Sequence, residues 1–313
     1  MTPRTDTIAG AEADHRLKAI GLMALATLCF AVLDSTGKYL IVKEGVPVAQ
    51  VTWLRFVGHV VFSAVALWPF AFKPTLKSNK PVIQILRSVL MVVTTGFNFL
   101  ALRYLQLDQT VTIFFLTPLL VAALAGPLLH ELVGWHRMLA IATGFLGVLL
   151  VVHPGIGTVH WAMLLALVAT FGYALYNLAT RYLAGFDPPA VTQTYSPLGG
   201  IVILAPFALA AWHWPETPRQ VLLLASLGFW GGLGHWLLIL AHRSAPASVL
   251  APFIYLGLIW MSALGYVVFD NVPTLWTLSG AAVVIVSGLY LFARERKAVG
   301  AAKTGPASDI ATQ

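Results

Sequence analysis

Long apolar stretches, separated by short polar or proline-containing segments, occupy almost the whole chain. Each stretch is about 20 residues long, which at ~1.5 Å per residue matches a bilayer core of ~30 Å. Ten such stretches are found, with approximate bounds 20–42, 48–70, 82–103, 107–129, 136–153, 159–182, 189–212, 219–242, 247–269 and 274–293. The pattern therefore predicts an all-α integral membrane protein with ten transmembrane helices.

Composition agrees with this class and argues against others. The chain is 58% hydrophobic and 10% charged, whereas soluble domains carry about 25% charged residues. Its net charge of +7 comes from cations at the ends of the apolar stretches, so the charge indicates membrane topology and not nucleic-acid binding. The first stretch is too long for a signal peptide and follows a segment with acidic residues, so we expect it to be retained.

The chain repeats itself about halfway along. The segment Ala26–Leu40, ATLCFAVLDSTGKYL, is echoed by Ala169–Leu183, ATFGYALYNLATRYL, at an offset of 143, and five of the fifteen positions are identical. The repeat also aligns Asp34 with Asn177 and Lys38 with Arg181. Two related halves in a long apolar chain are typical of transporters built from structural repeats.

The distribution of lysine and arginine predicts the orientation. With both termini cytoplasmic, thirteen of these cations lie on the cytoplasmic side, and only Lys43, Arg103 and Arg219 lie on the other. Five spans per half is an odd number, so the second half must enter the membrane from the opposite face. We therefore predict a cytoplasmic tail at 1–18, inverted five-helix repeats at 19–153 and 159–293, and a second cytoplasmic tail at 294–313.

These features resemble the drug/metabolite transporter superfamily, in its EamA branch. The resemblance covers about residues 20–293 and rests on FAVLDSTGKYL, answered by YALYNLATRYL, on TWLRF at Thr52–Phe56 and on LLHELVGWHRMLAIATGFLGVLLV. The second acidic turn, FDNVP, departs from the family pattern. Within the family, the second helix and the segment VLAPFIYLGLIWMSALGYVVF look closest to bacterial riboflavin and S-adenosylmethionine transporters. The resemblance implies transport of a small metabolite across the cell inner membrane.

Charged side chains inside the spans are the first candidates for a site, because each costs roughly 2.5–3.5 kcal/mol to insert. Asp34 and Lys38 lie one turn apart in the first span. They form either a buried ion pair within the helix or a substrate or proton site, and the matching Asn177 and Arg181 favour a site. Arg55 in the second span is a candidate to bind an anionic or carbonyl group through its planar fork.

Uncharged polar and aromatic residues complete the predicted substrate site, since rings from several helices can stack on a flat ligand. His235 joins Asp34 as a candidate proton carrier because histidine titrates near neutral pH. Arg87 and Arg103 are expected at the membrane boundaries, and Gly228 and Gly232 are expected at a close helix contact. The further candidate substrate-binding residues are Asn98, Tyr173, Tyr176, Asn177, Trp230, Tyr255 and Trp260.

Sequence motifs of enzymes are absent: the chain has no HExxH, GxxxxGK[ST] or GxSxG. Its single cysteine, Cys29, excludes a disulfide framework or a cysteine metal site. We therefore expect neither an enzyme nor a cofactor, but a secondary carrier that works by alternating access within the lipid bilayer.

The expected partner is a small-molecule substrate, with riboflavin or a similar flat aromatic metabolite as the first hypothesis, and the chain is compatible with a homodimer. Alternatives within transport are S-adenosylmethionine uptake and export of amino acids or amphiphilic drugs. A lipid flippase or a membrane-embedded enzyme is the alternative outside that class.

Overall fold

The computed structural model describes residues 4–66, 77–129, 135–152, 160–183, 185–244 and 251–304. Regular structure in these ranges is helical, and a short 3₁₀ helix, Ala251–Tyr255, precedes α10. The α-helices are α1 (Arg4–Val42), α2 (Val48–Ala66), α3 (Pro81–Leu102), α4 (Leu107–Phe114), α5 (Thr117–Leu129), α6 (Trp135–Val152), α7 (Ala162–Leu183), α8 (Pro189–Ala210), α9 (Pro218–Ser244), α10 (Leu256–Phe269) and α11 (Leu275–Thr304).

These helices form the ten predicted spans. In the described residues, six helices are long and apolar enough to cross a membrane, and four shorter apolar segments correspond to the fourth, fifth, ninth and tenth spans. The fourth span is α4 followed by α5, and the ninth is the 3₁₀ helix followed by α10. Helices α1 and α11 continue beyond the expected spans into both predicted tails. The connection predicted between the repeats, 154–158, lies outside the described residues, as does the first acidic turn at 130–131.

Proline and left-handed backbone determine several helix ends. Pro118 lies in the first turn of α5, just after the break that ends α4, and a proline inside a continuous helix would remove a backbone hydrogen bond. Pro189 begins α8, as the fixed φ of proline favours at a first helical position. Helix α10 ends at Asp270, whose φ of 55° is left-handed, a common way to terminate a helix.

The packing of the helices is symmetric under exchange of the two halves. The exchange relates α1 to α7, α2 to α8 and α3 to α9. The extensive helix contacts occur in symmetric pairs. The contact of α1 with α9 corresponds to that of α7 with α3. The contact of α2 with α9 corresponds to that of α8 with α3. The pairs α2–α8 and α6–α11 join related helices of the two halves. The structure is therefore built from two repeats that interlock through their second and third helices.

Small residues occupy the two related crossings. A Cβ added at Gly58 of α2 would lie 2.7 Å from the Cα of Gly228 in α9. At the corresponding crossing, a Cβ added at Gly199 of α8 would lie 2.5 Å from the Oγ of Ser88 in α3. Gly232 faces the ring of Phe62 in the same way, at 2.3 Å. The expected close contact at Gly228 and Gly232 is confirmed, and it brings α2 and α9 together beside the candidate site.

Candidate functional site

Arg55 of α2 is the central cation of the interior. Its side chain is 6% exposed, one terminal nitrogen donates to Thr95 Oγ1 at 3.1 Å, and the guanidinium carbon lies 5.2 Å from the Phe56 ring centroid. Its Nε is buried without a hydrogen-bond partner. A Cβ added at Gly231 of α9 would lie 3.7 Å from that Nε, so the unpaired donor faces the glycine-rich face of the other half.

Asp34 of α1 supplies the negative charge beside Arg55. Asn98 of α3 donates from Nδ2 to Asp34 Oδ1 at 3.3 Å, and Arg55 interacts electrostatically with the Asp34 carboxylate. Asp34 is only half-buried, while Arg55 and Asn98 are buried. Three helices of the first half thus bring an acid, a cation and an amide together against α9 of the second half.

Lys38 does not share this site. Its ammonium donates to the backbone carbonyl of Leu105, lies 5.2 Å from the Phe269 ring centroid and interacts electrostatically with Asp108 of α4. The ion pair between Lys38 and Asp34, which was one interpretation of their spacing, is therefore not formed. Lys38 instead joins the end of α1 to the connection after α3. The side chain of its counterpart Arg181 is outside the described part of the chain.

Two histidines stack one turn from Arg55. The rings of His59 (α2) and His235 (α9) are 5.3 Å apart and nearly parallel, and Phe30 meets His235 edge-on at 5.1 Å. His59 Nε2 is 2.9 Å from Gln193 Nε2 of α8, whereas His59 Nδ1 is buried without a partner. His235, the second candidate proton carrier, therefore lies at the junction of the two halves beside Arg55.

The guanidinium of Arg87 joins α3 to the second half. Its position at a membrane boundary stays a prediction, and the structure adds that its side chain is 4% exposed. It donates to Thr180 Oγ1 at 2.6 Å, to Ser196 Oγ at 2.6 Å and to the Tyr176 hydroxyl. These bonds give each guanidinium nitrogen of Arg87 a partner, so Arg87 stabilises the contact between the halves. It therefore has fewer free N–H donors for a ligand than Arg55 has. Arg103, predicted at the other boundary, is exposed.

The polar residues of α7 lie near Arg87. The rings of Tyr173 and Tyr176 stack at 5.9 Å, and Phe114 of α4 lies 6.0 Å from Tyr173. Asn177, the counterpart of Asp34, donates from Nδ2 to the Tyr173 carbonyl one turn earlier at 2.7 Å. Tyr176 interacts electrostatically with both Arg55 and Arg87, so it connects the two cations.

The other three predicted binding aromatics of the second half, Trp230, Tyr255 and Trp260, are divided between two apolar clusters. Trp230 and Trp260 pack against the cluster that contains Leu33 of α1, and Leu33 lies near Gly231 as Arg55 does. The Nε1 of Trp260 is buried without a partner. Tyr255 packs in the other cluster, where it meets Phe115 edge-on at 4.9 Å. The structure thus places Trp230 and Trp260 against one cluster and Tyr255 against another.

The arrangement is suited to binding and less to chemistry. Tyr176 connects the guanidinium cations of Arg55 and Arg87, the Asp34 carboxylate lies beside Arg55, and the Nε of Arg55 is without a hydrogen-bond partner. Such a site can bind an anionic or carbonyl-bearing solute by charge-assisted hydrogen bonds. In the described part of the chain, no group of three or more potential metal ligands is present.

Known proteins that are similar in sequence to this chain are membrane transporters. A family model described as the EamA-like transporter family matches residues 17–153 and 160–294. A riboflavin transporter of Vibrio cholerae is 28% identical over 290 residues, which cover 90% of this chain and 95% of that protein. An S-adenosylmethionine uptake transporter of Rickettsia bellii is 28% identical over 283 residues, with 90% and 95% covered. A solved crystal structure matches in fold with a TM-score of 0.60 at 17% identity, covering 92% of this chain and 99% of that chain.

Proposed function

The chain belongs to the EamA-like transporter family, and we propose that it carries a small organic metabolite through the site formed by Asp34, Arg55 and Asn98. It is a multi-pass membrane transporter and not an enzyme. In the proposal it lies in the cell inner membrane with both termini cytoplasmic. The two repeats, 19–153 and 159–293, rock against each other to expose the site to each side in turn.

The observation that carries this proposal is the unpaired Nε of Arg55. A buried polar group without a partner costs about 1–3 kcal/mol or more when charged, so it calls for a reason. Arg55 is nearly fully buried, lies where the halves meet and faces Gly231. A substrate group that accepts a hydrogen bond would complete its coordination during transport.

Riboflavin or a similar flat aromatic metabolite is the proposed substrate. A relative of nearly the same length is named a riboflavin transporter. Trp230 and Trp260 pack against one apolar cluster, and Leu33 of that cluster approaches Gly231 as Arg55 does. Carbonyl oxygens on one edge of a planar ring system would accept from Arg55, while the ring stacks on indole. S-adenosylmethionine is the second candidate, because another relative of equal identity is named for its uptake.

Counterflow in proteoliposomes tests the function. Vesicles loaded with unlabelled riboflavin, S-adenosylmethionine or mixed amino acids would receive the same compound labelled at trace concentration. We expect saturable exchange of riboflavin that an excess of unlabelled riboflavin abolishes. Exchange of S-adenosylmethionine alone would transfer the proposal to the second candidate. Exchange of amino acids alone would contradict the aromatic substrate, and protein-free vesicles provide the background.

We predict that Asp34→Asn separates exchange from proton coupling. Asparagine retains the size and an acceptor for Asn98, but it cannot bind a transported proton. Uptake driven by a pH gradient should fall to the level of passive equilibration, while counterflow at constant pH persists. The matched variant His235→Gln tests the other candidate carrier. Gradient-driven accumulation that survives Asp34→Asn and is lost in His235→Gln would assign the proton to His235 instead.

A further inference from the structure

Asp187, in the connection between α7 and α8, binds the beginning of α3 across the two halves. We call the membrane face where α1 begins the terminal face, and this connection lies there. The carboxylate accepts from the Asn79 backbone N–H at 2.7 Å, from Gln84 Nε2 at 2.8 Å and from the Ser78 hydroxyl. The side chain is 5% exposed. We call this set of bonds the Asp187 clasp.

A second carboxylate binds across the halves at the opposite face. Glu44, in the connection between α1 and α2, accepts from Gln220 Nε2 in the first turn of α9 at 2.8 Å. Beside it, Gln50 of α2 exchanges two hydrogen bonds with the backbone of His213, at 2.8 and 3.0 Å. We call the bond between Glu44 and Gln220 the Glu44 clasp.

The two clasps are the same contact, repeated by the symmetry of the halves. In each, an acid in the connection between the first and second helices of one half accepts from a glutamine at the beginning of the third helix of the other half. The positions of the acids, Glu44 and Asp187, differ by 143, which is the offset of the repeated helix. Each clasp also has a cation over an aromatic ring, with Lys80 4.8 Å from the Phe186 centroid and Arg219 4.9 Å from the Tyr39 centroid.

In the part of the chain that the structure describes, each clasp joins the two halves at one face. Arg55 is buried where α2 of the first half meets α9 of the second, so parting the halves at a face would open a path to it. Parting the halves breaks the clasp there and leaves the other in place. Both clasps are closed in this structure. Alternating access needs such a device at each face, used one at a time.

We propose that the Asp187 and Glu44 clasps are the paired gates of the carrier, and that their unequal strength determines which face opens in the absence of substrate. This inference builds on the proposed transport function. The Asp187 clasp has three donors on a buried carboxylate, whereas the Glu44 clasp has one across the halves on a half-exposed carboxylate. The carrier without substrate therefore opens more often at the opposite face.

The ionisation of both acids supports this assignment. The hydrogen bond from Gln220, with help from Tyr39 and Arg219, lowers the pKa of Glu44 despite partial desolvation. Burial raises the pKa of Asp187, but the hydrogen bonds from Ser78, Gln84 and Asn79 outweigh it and lower the pKa overall. A lowered pKa means that the stabilisation is present above the ordinary carboxyl pKa and is lost as the pH falls through the lowered value. The bonds are therefore charge-assisted at neutral pH.

Sided thiol labelling tests the gates without knowledge of the substrate. Cys29 is the only cysteine in the sequence, so the variant Cys29→Ala/Gly231→Cys carries one reporter thiol at the site. A Cβ at Gly231 meets its nearest neighbours, Leu33 and Arg55, at 3.6 and 3.7 Å, so the reporter leaves the pair of Asp34 and Arg55 intact. Right-side-out and inside-out vesicles would be labelled with a membrane-impermeant thiol reagent. Asp187→Ala should raise the initial labelling rate from the terminal face by at least about threefold and lower it from the opposite face, since it shifts a two-state population. Glu44→Ala should do the reverse, and Asp187→Ala/Glu44→Ala should return both rates towards the starting values.

The test depends on labelling rates that change in opposite directions at the two faces. Glu216 is an exposed acid at the opposite face whose backbone N–H, not its side chain, bonds Gln220, so Glu216→Ala should leave both rates unchanged. Labelling that increases from both faces in either clasp variant would show general loosening and would overturn the inference. Unchanged rates would overturn it as well. Because labelling needs no substrate, a failure here is distinct from a failure of counterflow.

Discussion

Replacing Arg55 by lysine is expected to reduce counterflow at least tenfold while the protein stays folded. Lysine keeps the positive charge beside Asp34, but it is a compact point charge that lacks both the planar fork and the Nε donor facing Gly231. A substrate held by two oriented hydrogen bonds would lose one or both of them, and a tenfold change corresponds to only about 1.4 kcal/mol. Initial exchange rates in proteoliposomes, normalised to the amount of reconstituted protein, measure the effect.

Two further variants distinguish recognition from stability. Arg55→Gln leaves Asp34 without its neighbouring cation, so thermal stability in detergent should fall. The loss should stay below the about 3–5 kcal/mol of a fully buried pair, because Asp34 is half-buried. The double variant Asp34→Asn/Arg55→Gln removes both charges and should recover most of that stability without recovering exchange. If Arg55→Lys exchanges substrate at the wild-type rate, Arg55 is not the recognition group.

The second large effect is expected at the crossing of α2 and α9. A Cβ at Gly228 would lie 2.2 Å from the Cα and carbonyl carbon of Gly58, and backbone atoms cannot move aside as a side-chain rotamer can. Gly228→Ala should therefore cost about 3 kcal/mol, at the upper end for overpacking. On the scale of soluble domains this lowers the Tm by roughly 6–10 °C. Thermal unfolding of the detergent-solubilised protein, followed by size-exclusion chromatography, measures the loss.

Gly96 of α3 is the matched control for this prediction. It is also helical, but nothing lies within 4 Å of an added Cβ. Alanine in a helix interior is about 0.5–1 kcal/mol more favourable than glycine, so Gly96→Ala should leave the Tm unchanged or raise it slightly. Equal losses in the two variants would mean that the halves do not pack on each other through Gly228.

The general architecture could be predicted from the sequence because it depends on local signals. Apolar stretches of bilayer length identified the ten spans, and the repeated helix with Asp34 and Asn177 identified the two halves. Arg55 was found because a charge inside an apolar stretch is costly. The structure adds what surrounds it: Thr95 from α3 and Gly231 from α9.

The remaining assignments depended on partners far apart in sequence. Lys38 has a local partner in Asp34, but it bonds the Leu105 carbonyl, 67 positions away, and backbone carbonyls leave no trace in sequence patterns. Arg87 is satisfied by side chains of α7 and α8 about 90–110 positions later. The serines and threonines of those apolar helices were the one available signal, since hydroxyls in membrane helices bond to neighbouring helices. Asp187 lies in a short connection, and the sequence does not indicate its partners at the beginning of α3, which are about 105 positions earlier.

The position of the bound substrate is the most direct test of the site between the halves. A structure determined with the compound that the counterflow experiment identifies should show it among α1, α2, α3 and α9, with an acceptor atom within hydrogen-bonding distance of Arg55. Density confined to the outer apolar groove that Leu119, Met138 and Phe145 line between α5 and α6 would contradict the account.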